Sequence, residues 1–271
     1  MSLIKEKFIK WLMVVSVLSC LIWLGGLAWS FQNYFSSSAP ITIETASAKV
    51  ETTPEPVSVG DKFRLLALGD SLTKGTGDPS GKGYVGYLLE HLKEKSKQEV
   101  TLSNYGVNGQ TASQLAVELQ QSKVDNEVKA ADVIAISIGA NDLFQSGETM
   151  GNLDETHIKQ IEAKYTQQLD AILKQIREVN GTARIFLIGL YNPFSALENA
   201  DRTNEILREW NYKMGEAVAH YPQTVLVPTA DLFQLKVQDY LAGDLFHPNA
   251  AGYRLMGDRV ASLVTWQGVD K

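Results

Sequence analysis

Apolar and polar positions alternate between two periods along most of the chain. Arg64–Gly69 is a short apolar run and predicts a strand, as does Val100–Tyr105. Between them, Tyr84, Val85, Leu88, Leu89 and Leu92 recur at helical spacing and predict a helix over Tyr84–Lys95. A helix over Thr111–Gln120 follows, with Thr111 as its N-cap. Asp132–Gly139, DVIAISIG, is a near-continuous apolar strand. His157–Val179 is a long amphipathic helix, with Ile158, Ile161, Tyr165, Leu169, Ile172, Leu173 and Ile176 on one face. Ala183–Leu190 predicts a fourth strand, Asn199–Ala219 a helix and Thr224–Val227 a fifth strand. Ala250–Trp266 is expected to form a last helix capped by Asn249.

Strands alternating with helices predict an α/β fold, a parallel sheet covered on both faces. In such sheets polar loops gather beyond the carboxyl ends of the strands. Here the first three strands end in GDS, NYGVNG and IGAND. A strand order of 2-1-3-4-5 brings those three loops over one edge.

The N-terminal part follows neither period. Trp11–Phe31 carries no charge and, as a helix, would span roughly 30 Å, a bilayer core. Trp11, Trp29 and Phe31 sit at its ends. Lys5, Lys7 and Lys10 precede it and the next Lys or Arg is Lys49, so residues 1–10 are expected in the cytoplasm and the remainder outside the cell membrane. A cleaved signal peptide is the alternative, since Ala46-Ser47-Ala48 has cleavage-site character. Val17-Leu18-Ser19-Cys20 is a weak lipoprotein-like sequence; the apolar run continues beyond Cys20, which favours an uncleaved anchor. Gln32–Asp61 is rich in Ser, Thr, Pro, Ala and Glu and reads as a flexible stalk. The folded domain is expected over 62–271.

Composition narrows the function. A net charge of −6 with no basic block argues against a nucleic-acid partner. The single cysteine excludes an intrachain disulfide and any Cys-based metal cage. Neither His91, His157 nor His220 stands in a metal-ligand pattern. The Gly75–Gly83 loop lacks the Gly-Lys-Ser/Thr ending of a P-loop and reads as a flexible rim.

The chemistry lies in four blocks: GDSLTKGTGD, NYGVNGQT, IGAND and DLFHPNAAGY. A serine at a strand-to-loop turn is a nucleophile only if a base takes its proton. His247 is the candidate base, because imidazole titrates near neutrality. Asp244, three residues earlier, is placed to orient it across a tight turn. Asp70 and Asp142 read as loop braces. Gly-x-Ser-x-Gly is absent, which disfavours the α/β-hydrolase fold.

In order and content, these blocks resemble the SGNH/GDSL hydrolase family over Phe63–Trp266. The resemblance implies a flavodoxin-like, three-layer α/β/α domain and ester hydrolysis through an acyl-serine at Ser71, with no metal or organic cofactor. It also implies an oxyanion hole from the backbone N–H groups of Ser71 and Gly106 and the side-chain amide of Asn141. The expected substrate is a small-molecule or lipid ester, such as a lysophospholipid. An O-acetyl ester of a cell-wall or surface glycan is the alternative, and a non-catalytic binding module the rival of another class. Leu143, Phe144, Tyr191, Phe194 and Phe246 are candidates for an acyl pocket or for ordinary packing.

Overall fold

In a computed structural model, the described residues are 62–264 and six positions near the N-terminus. The chain divides into two units, Met1–Pro56 and Val57–Lys271. In the first unit Trp11, Met13, Ser16, Leu18, Ser19 and Trp23 are described, and all six are helical and exposed. The rest of the expected anchor, Cys20, the Ala46-Ser47-Ala48 site and the stalk lie outside the described residues. Among the described residues no helix is long and apolar enough to cross a membrane.

The second unit is built on five parallel strands: β1 (Lys62–Gly69), β2 (Glu99–Gly106), β3 (Val133–Ser137), β4 (Arg184–Ile188) and β5 (Thr224–Val227). Their order is β2-β1-β3-β4-β5, as the loop chemistry predicts. The register pairs Gly69 with both Gly106 and Ser137, so the first three strands end level with one another.

Successive strand residues face opposite sides and feed two cores. Leu66, Leu68, Ile134, Ile136, Ile185 and Leu187 pack with α3 (Ala112–Glu118), α4 (Ser122–Ala130), α6 (Glu155–Val179) and α7 (Ala200–Ala219). Leu65, Ala67, Val133, Ala135, Phe186 and Ile188 pack on the other face with α2 (Gly83–Lys95), α8 (Ala230–Gln234), α9 (Val237–Tyr240) and α10 (Ala250–Leu263). The result is helix, sheet, helix in three layers.

Two short helices depart from the predicted loops. Ser71–Lys74 forms α1 and Ala140–Phe144 forms α5, each directly after a strand. Nor does the sequence predict α4. Only Val124 and Val128 of its nine residues are buried, too little apolar signal for a period to emerge. The caps follow the sequence. Asn249 accepts from the N–H groups of Ala251 and Gly252 at 2.9 and 3.0 Å, and the Thr111 N–H donates to the Gln114 side chain at 2.9 Å. Residues beyond Val264, where the last helix was expected to continue, lie outside the described residues.

Candidate active site

Strand β1 delivers Ser71 through a sharp exit. Gly69 has φ of +120°, and a Cβ there would lie 1.9 Å from the Ser137 carbonyl oxygen of β3. Only glycine fits that approach. Asp70 then caps α1, its Oδ1 accepting from the Leu72 N–H at 3.0 Å. The strand thus ends in a capped turn of helix, and Ser71 is its first residue. The Ser71 N–H, at a helix start, has no acceptor among the described residues.

Beneath Ser71 lies a buried hydrogen-bonded layer. The Ser137 hydroxyl donates to Asp70 Oδ1 at 2.6 Å and lies 2.8 Å from the Thr73 hydroxyl. The Thr73 hydroxyl donates to the Leu68 carbonyl at 2.9 Å and meets the Tyr84 hydroxyl at 2.9 Å. Asp70 Oδ2 is buried without a partner among the described residues. Burial pushes the Asp70 carboxyl up to about 6, although the bonds from Ser137 and Leu72 and the nearby His247 pull the other way.

The other half of the site comes from the loop before α10. His247 Nε2 lies 2.8 Å from Ser71 Oγ, and His247 Nδ1 lies 2.6 Å from Asp244 Oδ2. Asp244 Oδ1 accepts from the backbone N–H groups of Phe246 and His247 at 3.0 and 2.9 Å. Partial burial alone would raise the Asp244 carboxyl. The His247 ring bond and the two backbone bonds outweigh it and hold the carboxyl below the ordinary range. Leu245 takes a left-handed φ of 56° and is 65% exposed. That conformation is costly for a branched side chain, and it closes the turn that brings Asp244 under the ring.

The two remaining candidate donors sit at the ends of β2 and β3. The Gly106 N–H donates to Asn104 Oδ1 at 2.9 Å, and Asn141 Nδ2 donates to the Gln110 carbonyl at 2.9 Å. Asn141 keeps a second N–H on the same nitrogen. Gly106 is needed for packing: a Cβ there would lie 2.3 Å from the Lys74 nitrogen of α1. The sequence does not predict that helix, and so gives no sign of this contact.

Other expectations need correction. The Gly75–Gly83 loop is cross-linked by hydrogen bonds, with Pro79, Ser80, Gly81 and Lys82 exposed at its tip. Asp78 Oδ1 accepts from the Ser80 N–H and hydroxyl, Asp78 Oδ2 accepts from the Gly83 N–H, and the Tyr253 hydroxyl donates to the Thr76 carbonyl. Of the five acyl-pocket candidates, Phe144, Tyr191 and Phe246 line an apolar slot beside Ser71, with Leu72, Ala140, Leu190 and Pro193. Leu143 belongs to the core beneath α6 and α7. Phe194 stands behind the slot, its ring 5.0 Å from Phe144 and 6.0 Å from Phe246. The three rings leave about 10 Å³ of free space, room for about one water. Asp142 braces a loop as expected, accepting from the Ala112 N–H at 2.9 Å. His91 lies 2.6 Å from Asp258, on the α2–α10 surface.

Chemically, the arrangement can take a proton from Ser71, hold the resulting imidazolium against a carboxylate, and seat an apolar group beside the hydroxyl. Residues 67–255 match the GDSL-like Lipase/Acylhydrolase family. The uncharacterized protein YpmR of Bacillus subtilis is 30% identical over 242 residues, covering 85% of this chain and 95% of YpmR. The spore germination lipase LipC of Bacillus licheniformis is 30% identical over 207 residues, 73% of this chain and 94% of LipC. Among solved structures, the lipase Lip_vut3 from a goat rumen metagenome is 27% identical with a TM-score of 0.68, covering 74% of this chain and 96% of that one.

Proposed function

As a member of the GDSL-like lipase/acylhydrolase family this chain is an ester hydrolase, and we propose that it works through an acyl-enzyme on Ser71. Ser71 Oγ attacks the ester carbonyl while its proton passes to His247 Nε2. Asp244 holds the ring in the required tautomer and stabilises the imidazolium. The negative charge on the carbonyl oxygen is met by the N–H groups of Ser71 and Gly106 and by the amide of Asn141. Gly106 has to release Asn104 Oδ1, or share its N–H, to do so. His247 then gives its proton to the departing alkoxide, which leaves as the alcohol. A water, deprotonated by His247, attacks the acyl carbon. Collapse releases the acid and returns the proton to Ser71.

The observation that carries this reading is the continuous relay from Ser71 Oγ through His247 to Asp244 at 2.8 and 2.6 Å. A fluorophosphonate probe should label the wild-type serine and fail on Ser71→Ala, which should stay folded and lose at least about 10⁴ of its turnover. A folded Ser71→Ala protein with near-wild-type turnover removes Ser71 as nucleophile.

For the substrate, the apolar slot supports a lipid acyl ester. An N-terminal anchor at Trp11–Phe31, with residues 1–10 cytoplasmic, 32–61 as stalk and the hydrolase domain over 62–271 outside, would hold the site beside membrane lipid. The uncharged run and the upstream lysines support that topology. Protease added to intact cells should then release active enzyme. Full protection until lysis overturns the orientation.

The second reading, an O-acetyl esterase on glycans, is favoured by the closed slot, because the small free space beside Ser71 suits an acetyl methyl without movement of the rings. Rates on p-nitrophenyl esters of rising chain length separate the two. A lipid enzyme gains with length, and Phe194→Ala should extend that gain. An acetyl esterase falls steeply after acetate.

A further inference from the structure

The loop after β4 presents residues to two different spaces. Leu190, Tyr191 and Pro193 line the apolar slot beside Ser71. Asn192 and Ser195 line a separate cavity of about 130 Å³ with mixed walls, bounded on its far side by Asn204, Leu207, Arg208 and Asn211 of α7 and by Gln234 of α8. A single layer of rings divides them. Tyr191 stacks on Phe233 with centroids 4.1 Å apart, and Phe233 is itself part of the cavity wall. Where the slot has room for about one water, this cavity has room for several waters, enough for a small polar ion.

The cavity has a fixed wall and a free rim. Asn211 is spent on the loop backbone: its Oδ1 accepts from the Leu190 N–H and its Nδ2 donates to the Leu190 carbonyl, both at 2.8 Å. Asn192 Nδ2 donates to the Thr203 hydroxyl and to Asn204 Oδ1 at 2.9 and 2.8 Å, and its Oδ1 accepts from the Phe194 N–H at 2.9 Å. These bonds stiffen the wall. By contrast, Arg208 and Gln234, exposed at the mouth, and the half-buried Ser195 hydroxyl and Asn204 Nδ2 have no hydrogen-bond or ion-pair partner among the described residues. No carboxylate lines the cavity. Glu205, one turn before Arg208 on α7, is taken by Arg202 at 2.7 Å. A guanidinium and three neutral donor groups thus converge on one solvent-open pocket with a stiff wall, a lining whose chemistry suits an anion, in a chain whose net charge of −6 disfavours anions elsewhere.

We propose that this cavity is a phosphate-binding subsite, and that the phosphate it takes is either the headgroup of a lysophospholipid or the free ion. The headgroup case rests on the lipid-ester reading above; the free-ion case does not. Because the Tyr191–Phe233 layer separates the two spaces, the headgroup case requires the glycerol to pass over the outer rim of the loop after β4, with the phosphate on the α7 side and the acyl ester on the Ser71 side.

The test uses the full-length protein, with inorganic phosphate as the calorimetric probe and chloride at equal ionic strength as control. Wild type should bind phosphate. Arg208→Gln should weaken that binding at least tenfold, Ser195→Ala should weaken it less, and Arg208→Lys should restore part of it. Thermal melts of each variant establish that it is folded. In parallel, KM is measured for a lysophosphatidylglycerol and for the monoacylglycerol of the same chain. If Arg208→Gln raises the first KM at least fivefold more than the second, and phosphate competes with the lysophospholipid, the headgroup is the ligand. Phosphate binding lost in Arg208→Gln with the KM ratio unchanged supports the same site for the free ion. No phosphate binding by wild type, or equal binding by folded Arg208→Gln and Ser195→Ala, overturns the proposal. Wild-type turnover of p-nitrophenyl acetate is scored separately. Its absence would sink the ester mechanism while leaving the calorimetry to judge the cavity.

Discussion

The two halves of the site are held in opposite ways. Ser71 is 6% exposed and stands on a layer in which Asp70, Thr73, Ser137 and Tyr84 are all buried and joined by hydrogen bonds. Asp244, with its side chain 45% exposed, and Leu245 sit on a surface loop. That loop is kept in shape by two backbone bonds to one carboxylate oxygen and by one left-handed residue. The Ser71 side is held through burial, at the cost of a carboxyl with one oxygen left without a partner among the described residues. The base side is rigid through local turn geometry, where solvent screens the charges. Mutations should therefore act differently on the two sides: mainly through chemistry on the loop, and through stability and its pH dependence in the buried layer.

The largest effect is expected from Asp244→Asn. The asparagine Oδ1 still accepts from the Phe246 and His247 N–H groups, so the loop keeps its shape. Its NH₂ cannot accept from His247 Nδ1, and the tautomer is lost. kcat should fall by about 10⁴ with little change in melting temperature. A large drop in melting temperature would show that the loop depends on charge as well as geometry, and would blur the contrast.

Next is Asn141→Ala. A donor placed for the charged intermediate contributes mainly in the transition state. kcat and kcat/KM should fall together by about 10²–10³ while KM stays nearly constant. Losing the bond to the Gln110 carbonyl should also cost about 1 kcal/mol of stability. An intact kcat with a lowered melting temperature would reduce Asn141 to a brace.

Asp70→Asn probes the buried layer through pH. The Asp70 carboxyl rises from 3.8 to about 6 on folding, so the folded state holds its proton more tightly than the unfolded chain. That contribution to stability is present below pH about 4 and is lost as pH climbs to about 6. Denaturant titrations should show wild type losing stability across this window relative to Asp70→Asn. Parallel curves would mean that the carboxyl is not isolated.

The smallest effect is expected from Leu245→Asn. Asparagine tolerates the left-handed conformation and little apolar burial is given up. Stability should rise by no more than about 1 kcal/mol with kcat unchanged, read from urea melts and steady-state rates. A fall in kcat would show that the strained turn also aims the imidazole.

The same division decides what the sequence revealed. Strand β3 and helix α6 were legible because DVIAISIG is almost wholly apolar and because the α6 apolar face holds its period for about five turns, from Ile158 to Ile176. Asp244 and His247 were legible because they lie three residues apart in one turn. The layer under Ser71 was not. Asp70 and Ser137 are 67 residues apart, and Thr73 and Tyr84 eleven; each looks like an ordinary turn or helix residue until the sheet register sets them together. Helix α1 escaped notice because its four residues hold no period, and the packing of Gly106 against it was hidden with it. Arg208 and Ser195 carried no signal, since an unpaired arginine on a helix looks like any solvated one.

The separation of Ser71 from His247 has a consequence for how the enzyme is born. They are 176 residues apart. At about 5–20 residues per second of synthesis, Ser71 leaves the ribosome about 9–35 s before His247. Through that interval the growing chain carries a serine no more reactive than any other. If Ser71 and His247 act as proposed, activity requires the loop before α10 to stand over the end of β1, so turnover of an ester would report that the chain has been made past His247.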